Sequence, residues 1–408
     1  LEKTLKAKTR GVSKPLIFQL FMSLIKIREG AALIEIPKEV VEHITERNEV
    51  FYNPAMAVNR DLTVLLLRVF VREKDRPIKV AEPLAASAVR SVRILKEVPF
   101  VEKVYINDLS LRALQYARRN LELNKIPSEK VEIWNEDANV FLLKTKYFDY
   151  IDIDPFGTPV DFLDATAKSL AHRGVAGITA TDTAPLSATY PRTCLRRYFA
   201  KPIENEFYHE VGLRILIKKV AEFFFQYDIP IEVLFAYSYL HHFRVFVKRY
   251  RGARKVNEIM KNKIGFLLYC HKCLYRSTVP FTALRELDTA CPVCGHRLDY
   301  AGPLWIGELW NHEYVEAMLE ELPAVEVQKE TEKLLKVIIA ESKLQTVGFY
   351  TTSALGKAFK LPVLPPKKEL IKELSAVPTH FTDEGFRTNL PHGEVIRRVK
   401  KLVEQRSK

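Results

Sequence analysis

A chain of 408 residues with 47% apolar and 28% charged side chains has the make-up of an ordinary globular protein, long enough for two or three domains and a core that needs no disulfides. Lys and Arg outnumber Asp and Glu by 63 to 50, a formal charge of +13 that points to a polyanionic partner, nucleic acid ahead of an acidic membrane surface. No apolar run reaches the roughly 18–20 residues that a membrane-spanning helix needs, so no membrane segment and a cytoplasmic location are expected.

In chain order, residues 1–25 are set apart as an N-terminal extension whose place in the native protein is left open. The run PLIFQLFMSLI (15–25) has a basic flank like a signal peptide, but KIREG follows with no small-residue cleavage site. From residue 78 apolar runs alternate with helical periodicity. IKVAEPL (78–84) reads as a buried strand, followed by a helix through AVRSVRILKEV. A second strand, VEKVYINDLS (101–110), ends at Asn107 and Asp108. Ser110 then caps a helix with apolar Leu111, Leu114, Ala117 and Leu121 at helical spacing. VEIWNEDA (131–138) and YFDYIDIDPF (147–156) are the third and fourth strands. Residues 160–171 read as helix, and GVAGITATD (174–182) as the fifth strand.

Strands separated by helices imply a parallel, doubly wound sheet. IPIEVLFAYSYL (229–240) and HHFRVFVKRY (241–250) break that order, because two β-rich runs joined by almost nothing close only as an antiparallel hairpin. A parallel α/β sheet finishing in such a hairpin resembles the Rossmann-like plan of class I S-adenosylmethionine methyltransferases, an analogy at the level of fold.

Ligands of open α/β sheets bind at the carboxyl ends of the strands. Acids stand at four successive ends: Glu82, Asp108, Asp137, and Asp152 with Asp154. Asp108 is placed to accept from both ribose hydroxyls of a nucleoside, and Asp137 from an adenine amino group. The first turn, LAASAVR, lacks the glycines expected where backbone approaches a ligand.

Four of the five cysteines form two C-x-x-C pairs, Cys270 with Cys273 and Cys291 with Cys294, and 17 residues separate the pairs. This is zinc-ribbon spacing, and four thiolates close a tetrahedral shell, as in a structural rather than a catalytic site. Cys194 reads as a small packed residue. His271 and His296 read as bystanders. The expected division is a methyltransferase domain over 26–250 and a C-terminal α+β domain over 251–408, with the ribbon at about 264–302. Cations at Arg251, Arg254, Lys255, Lys261 and Lys263, and at Arg397, Arg398, Lys400 and Lys401, are candidates to track phosphates.

Six blocks in order resemble the tRNA guanine-26 N2-dimethyltransferase family: FYNPAMAVNRDL (51–62), DIDPFGTP (152–159), TATDTAPLSATYPRTCLRRY (179–198), HEVGLRIL (209–216), GPLWIGELW (302–310) and THFTDEGFRTNLP (379–391). The resemblance runs from about residue 28 to 393. It implies S-adenosylmethionine as methyl donor, one structural zinc, tRNA as partner with no obligate protein partner, and transfer of one or two methyl groups to the exocyclic amine of a guanine. It also implies cofactor contacts at Arg60, Glu82, Arg90, Asp108, Asp137 and Ala138, with Arg60 and Arg90 suited to the methionine carboxylate. Arg93 is instead expected in a surface salt bridge. The chain departs from the family in LAASAVRSVR, where a glycine usually precedes Ile/Val-Arg, and at Glu82, where the acid is usually Asp.

The guanine N2 lone pair is delocalised into the ring, so the amine needs an acceptor that takes its proton as the N–C bond forms. The base must also be turned out of its stack and held flat. Asp154 suits the acceptor, the Pro155 carbonyl the second N–H, and Phe156 the stacking face. Asp152 either orients Asp154 or the guanine N1–H, or is a buried acid bonded to backbone. The D-P-F logic is shared with enzymes that methylate DNA amines, but a DNA enzyme does not explain the other five blocks. A non-catalytic RNA-binding relative accounts for the missing glycines but not for the intact D-P-F and Asp108.

Overall fold

A computed structural model describes residues 24–42, 50–286 and 289–406. The N-terminal extension, up to residue 23, lies outside the described residues. The described chain opens with a hairpin of β1 (Leu24–Glu29) and β2 (Ala32–Pro37), then a short α1 (Lys38–Glu42). A long helix follows, α2 (Ala57–Lys74), which sequence periodicity does not reveal. It is buried on nearly every side from Ala57 to Val71, so no polar face marks its turns.

The alternation read from residue 78 then unfolds as β3 (Ile78–Glu82), α3 (Val89–Glu97), β4 (Val101–Asn107), α4 (Leu111–Leu123), β5 (Val131–Trp134), α5 (Ala138–Thr145), β6 (Phe148–Ile153), α6 (Leu163–Ser169) and β7 (Leu170–Ala180). Ser110 caps α4 by accepting from the Ala113 N–H at 3.2 Å, as expected. One boundary moves. Residues 160–162 form a 3-10 turn, and β7 begins at Leu170, where pairing with Phe148 has already captured the backbone. Next come α7 (Thr183–Leu186), α8 (Pro191–Tyr198), α9 (Tyr208–Phe225), β8 (Ile231–Tyr239) and β9 (His242–Arg249).

These strands make one sheet of order β5-β4-β3-β6-β7-β9-β8. The first five are parallel, and β9 pairs antiparallel with both β7 and β8, the hairpin finish expected from sequence. The order reverses at β3, whose neighbours β4 and β6 diverge. An open crevice therefore lies at the carboxyl ends of β3 and β6.

The rest of the chain is α10 (Ala253–Lys263), β10 (Ile264–Tyr269), β11 (Arg276–Pro280), β12 (Asp299–Trp305), α11 (His312–Glu320), α12 (Lys329–Glu341), β13 (Tyr350–Thr351), α13 (Thr352–Phe359), α14 (Lys367–Glu373), β14 (Val377–Pro378), β15 (Gly385–Arg387) and α15 (His392–Arg406). Two small antiparallel sheets result, β11-β10-β12 and β13-β15-β14. The amphipathic helices expected over 312–346 are α11 and α12, and α14 follows the proline-broken turn. This half does not stand apart: one continuous core runs from Ala32 to Val399. The Asp61 carboxylate of α2 accepts from the Gln328 N–H at 2.8 Å and the Thr331 hydroxyl at 2.6 Å, fastening α12 across it. Among the described residues no helix is long and apolar enough to cross a membrane.

Candidate active site

The crevice at the strand-order reversal is a cleft of about 460 Å³, within the usual range for small-molecule sites. Glu82, Arg90, Asp108, Asp154, Pro155, Phe156 and Arg60 all line it, together with Leu84, Ala85, Ala86, Ser87 and Val89 of the first turn. The third sequence block supplies Thr181, and the first supplies Phe51, Tyr52, Asn53 and Met56.

Beneath the cleft lies a buried charge network. The Arg90 guanidinium donates to the Asp154 carboxylate, to Asn59 Oδ1 at 2.9 Å and to Thr63 Oγ1 at 3.0 Å. Its Nε lies 3.3 Å from Asp152 and 3.5 Å from Glu82. Asp152 is 1% exposed and does not line the cleft. The buried acid expected there is present, but its partners are side chains rather than backbone. It receives Arg244 Nη2 at 2.5 Å and the Tyr150 hydroxyl at 2.6 Å, so it meets Asp154 only through Arg90. Burial alone would raise the Asp152 pKa, but Arg244 and Arg90 outweigh burial and hold it below the usual carboxylate value. Glu82 goes the other way. Burial pushes it up to about 7 against the opposing pull of Arg90 and the Ser91 hydroxyl, with Asp152 and Asp154 adding to the rise. Arg244 was not singled out from the sequence. Its signal is an arginine in the middle of an apolar strand, HFRVFVKR, where only a buried partner stabilises the charge.

Arg60 and Arg90 reach the cleft with their forks occupied. Arg60 is bidentate to Glu29, both contacts at 2.6 Å, and also donates to the Asn53 carbonyl. Burial would raise Glu29, but Arg60 and Arg93 outweigh it and hold the carboxyl at about 2. Arg93 is not the expected surface salt bridge. It is fully buried, paired with Glu97 at 2.9 Å, Asp61 at 2.5 Å and Glu29 at 3.2 Å, because α3 is sandwiched between α2 and the β1–β2 hairpin.

The glycine-poor turn reaches the same shape without glycine. Ala86 and Ala88 take left-handed backbone conformations, φ 47° and 58°, and the Ala86 N–H donates to Asp108 Oδ2 at 2.9 Å. The other Asp108 oxygen accepts from the Ser110 N–H at 2.8 Å. Asp137 and Ala138 lie at the next strand end, outside the cleft lining. Asp137 caps α5 by accepting from the Asn139 and Val140 N–H groups.

The D-P-F turn presents its ring outward. Phe156 is 48% exposed and packs edge-on against Phe51, with centroids 4.5 Å apart. Gly157 has φ +79°, which favours glycine, and its N–H donates to Thr181 Oγ1 at 2.6 Å. Apolar walls and a deep cluster of acids and guanidiniums thus converge on Asp154, the one partly exposed acid of that cluster. Such a place can hold a flat polar ring and accept its proton.

None of the cysteines lines this cleft. Cys270, Cys273, Cys291 and Cys294 come together beside the sheet β11-β10-β12, with all four Sγ atoms within 4.8 Å of one another. Zn–S bonds of about 2.3 Å place tetrahedral sulfurs at that order of separation, so the donor set fits one zinc. Cys194 is buried in the core. His271 pairs with Asp299 at 3.2 Å rather than joining the cluster.

A family model of N2,N2-dimethylguanosine tRNA methyltransferases matches residues 30–400. The chain is 47% identical over 379 residues to the tRNA (guanine(26)-N(2)/guanine(27)-N(2))-dimethyltransferase of Aquifex aeolicus, covering 92% of this chain and 96% of that one. It is 37% identical over 387 residues to the tRNA (guanine(26)-N(2))-dimethyltransferase of Methanobrevibacter smithii, covering 93% and 96%. Among solved structures, Trm1 from Pyrococcus horikoshii in complex with S-adenosyl-L-methionine aligns with a TM-score of 0.81 at 36% identity, over 92% of this chain and 100% of that one. A match of this length, joined to a D-P-F turn at a switch-point cleft and a four-cysteine cluster, establishes that the chain belongs to the N2,N2-dimethylguanosine tRNA methyltransferase family.

Proposed function

We propose that the chain transfers one or two methyl groups from S-adenosylmethionine to the exocyclic N2 of guanine 26 in tRNA, in the cytoplasm. Guanine 27 is a second target, on the example of the Aquifex relative. The observation that carries the reading is the Asp154-Pro155-Phe156 turn at the mouth of the 460 Å³ cleft, its carboxylate anchored to the buried Arg90.

The cleft suits such a donor. Glu82 and Asp108 offer carboxylate oxygens to ammonium and hydroxyl groups, and Arg60 and Arg90 offer positive charge to a carboxylate. Asp137 and Ala138 flank the next strand end, where an adenine would lie. When bound, S-adenosylmethionine supplies an electrophilic methyl group. Everything else falls to the chain. Phe156 stacks on the flipped base, worth roughly 1–3 kcal/mol. The Pro155 carbonyl accepts one N2–H and fixes the amine. Asp154 accepts the other and takes its proton as nitrogen bonds to carbon. Arg90, tied down by Asn59, Thr63 and Asp152, sets the direction of that carboxylate. Phe51, Met56 and Phe162 keep water from the reacting atoms. One zinc held by the four cysteines stabilises the ribbon in residues 251–408, a half that we also propose binds tRNA, and takes no part in the transfer.

The test is to incubate protein, unmodified tRNA and S-adenosylmethionine, digest the RNA and identify methylated nucleosides by mass spectrometry. N2-methylated guanosines at position 26 are expected. Asp154→Ala should cut turnover by about 10²–10⁴ while tRNA affinity stays within a few-fold. Near-wild-type turnover in that variant would remove Asp154 from the chemistry.

A further inference from the structure

Helix α8, PRTCLRRY, turns one face inward and leaves the other without partners. Cys194 and Tyr198 are buried, and the Tyr198 hydroxyl donates to Asp182 at 2.6 Å and meets Thr158 Oγ1, on the cleft wall, at 3.0 Å. The outward face is therefore about one helix diameter, roughly 10 Å, from the cleft. On it lie Arg192, Leu195 and Arg196, with Tyr190 before the helix and Phe199 after it. Tyr190 is 59% exposed and Phe199 is 70% exposed.

Three features mark this face. Arg192 and Arg196 are like charges four residues apart, a mildly unfavourable spacing, and no acid among the described residues pairs with either; Arg196 donates to the Thr193 hydroxyl. Phe199 ends the helix in a left-handed conformation, its N–H capping the Leu195 carbonyl, and its ring stays exposed. The surface is also continued rather than ended. Lys201 exchanges two backbone hydrogen bonds of 2.8 Å with Gly302 of β12, and its ammonium, paired with Asp299 at 2.5 Å, sits over the Tyr300 ring, which carries cations and rings on to the ribbon sheet.

We propose that the outward face of α8 is a tRNA-docking surface, with Arg192 and Arg196 on backbone phosphates and Tyr190 and Phe199 against sugars and bases beside the extruded guanine. Guanidiniums without acids complement a polyanion, exposed rings interleaved with them stack on nucleic acid, and the Tyr198 anchor fixes the distance to Asp154. The proposal rests on the tRNA reading above and adds where on the chain that substrate is held.

The experiment measures binding of unmodified tRNA by fluorescence anisotropy over a salt series, in the full chain. Arg192→Glu with Arg196→Glu should weaken binding at least tenfold and flatten the log–log salt slope by about 2. Arg192→Lys with Arg196→Lys should stay within about threefold of wild type. Tyr190→Ala with Phe199→Ala should weaken binding without changing the slope. S-adenosylmethionine affinity, measured by calorimetry, should be unchanged in all three. Wild-type tRNA affinity in the charge-reversed protein overturns the docking surface and leaves the methyltransferase reading standing. A parallel loss of S-adenosylmethionine affinity also overturns it, since the effect is then on folding. Absence of methylated guanosine from the wild-type reaction, read separately by mass spectrometry, overturns the functional reading instead.

Discussion

Ala86 shows how a single residue departs from what its position asks for. A left-handed conformation costs an L-residue about 1–2 kcal/mol, whereas glycine adopts it freely. Ala86 bears that cost at φ 47°, half-exposed on the cleft rim, while its N–H holds Asp108 in place. Ala86→Gly should therefore be neutral or stabilising by up to about 1 kcal/mol, the relief of strain being partly cancelled by the greater freedom of the unfolded chain. Ala86→Val should lower the melting temperature, because a β-branched side chain fits that backbone least. Melting curves of the two variants decide it, and a clear loss of stability in the glycine variant would count against strain at this turn. Glu82, Asp108 and Asp154 were legible in the sequence because an acid that ends an apolar strand stands out locally. Their counterweights were not. Arg244 meets Asp152 from 92 positions away, and Glu29 meets Arg60 from a separate hairpin, so no window of sequence contains either pair.

At the scale of elements, legibility followed periodicity. The parallel strands and the closing hairpin came through because their apolar runs are short and bounded by polar ends, whereas α2, buried nearly all round, has no period to read. The ribbon was read from ligand spacing alone, and its energetics differ accordingly. The two cysteine knuckles hold a small separate core of Cys270, Cys273 and Cys291, edged by Tyr275, Leu298 and Phe359, whereas β10 and β12 bury Leu267, Tyr269, Leu304 and Trp305 in the main core. So few apolar groups cannot hold the two knuckles, which makes the metal the main stabilising term at that end. A strong chelator, or Cys273→Ser, should release one equivalent of zinc and open the knuckle amides of Leu274, Cys291 and Gly295 to rapid hydrogen exchange. Protection in β3 to β7 should persist. Unchanged protection of those knuckle amides after zinc removal would show that packing alone suffices.

At the scale of the whole molecule, the two halves expected from sequence share their interior. Arg387 of β15 is fully buried, with Nη2 at 2.9 Å from Glu210 of α9 and 3.2 Å from Glu341 of α12. Glu210 also binds Arg214, and Arg387 donates to the carbonyls of Thr346 and Gly348. Burial alone would raise Glu210, but Arg387 and Arg214 outweigh it and hold the carboxyl at about 2, so at neutral pH the network is charged and closed. A buried charge stripped of its partner costs about 3–5 kcal/mol, so either half unfolding alone would strand acids or a guanidinium in the other. The continuous apolar core gives the same result, since separating the halves would expose α2 to water along the face that α11 and α12 cover. Calorimetry of the zinc-loaded protein should then show a single transition, not the two that loosely tethered domains give. Arg387→Met should lower that transition as a whole, because it leaves Glu210 and Glu341 facing each other with no guanidinium between them, Glu210 keeping Arg214 and Glu341 keeping His380. If the variant instead splits the trace into a high and a low step, the halves are coupled only through this residue, and residues 26–250 should then fold when expressed alone.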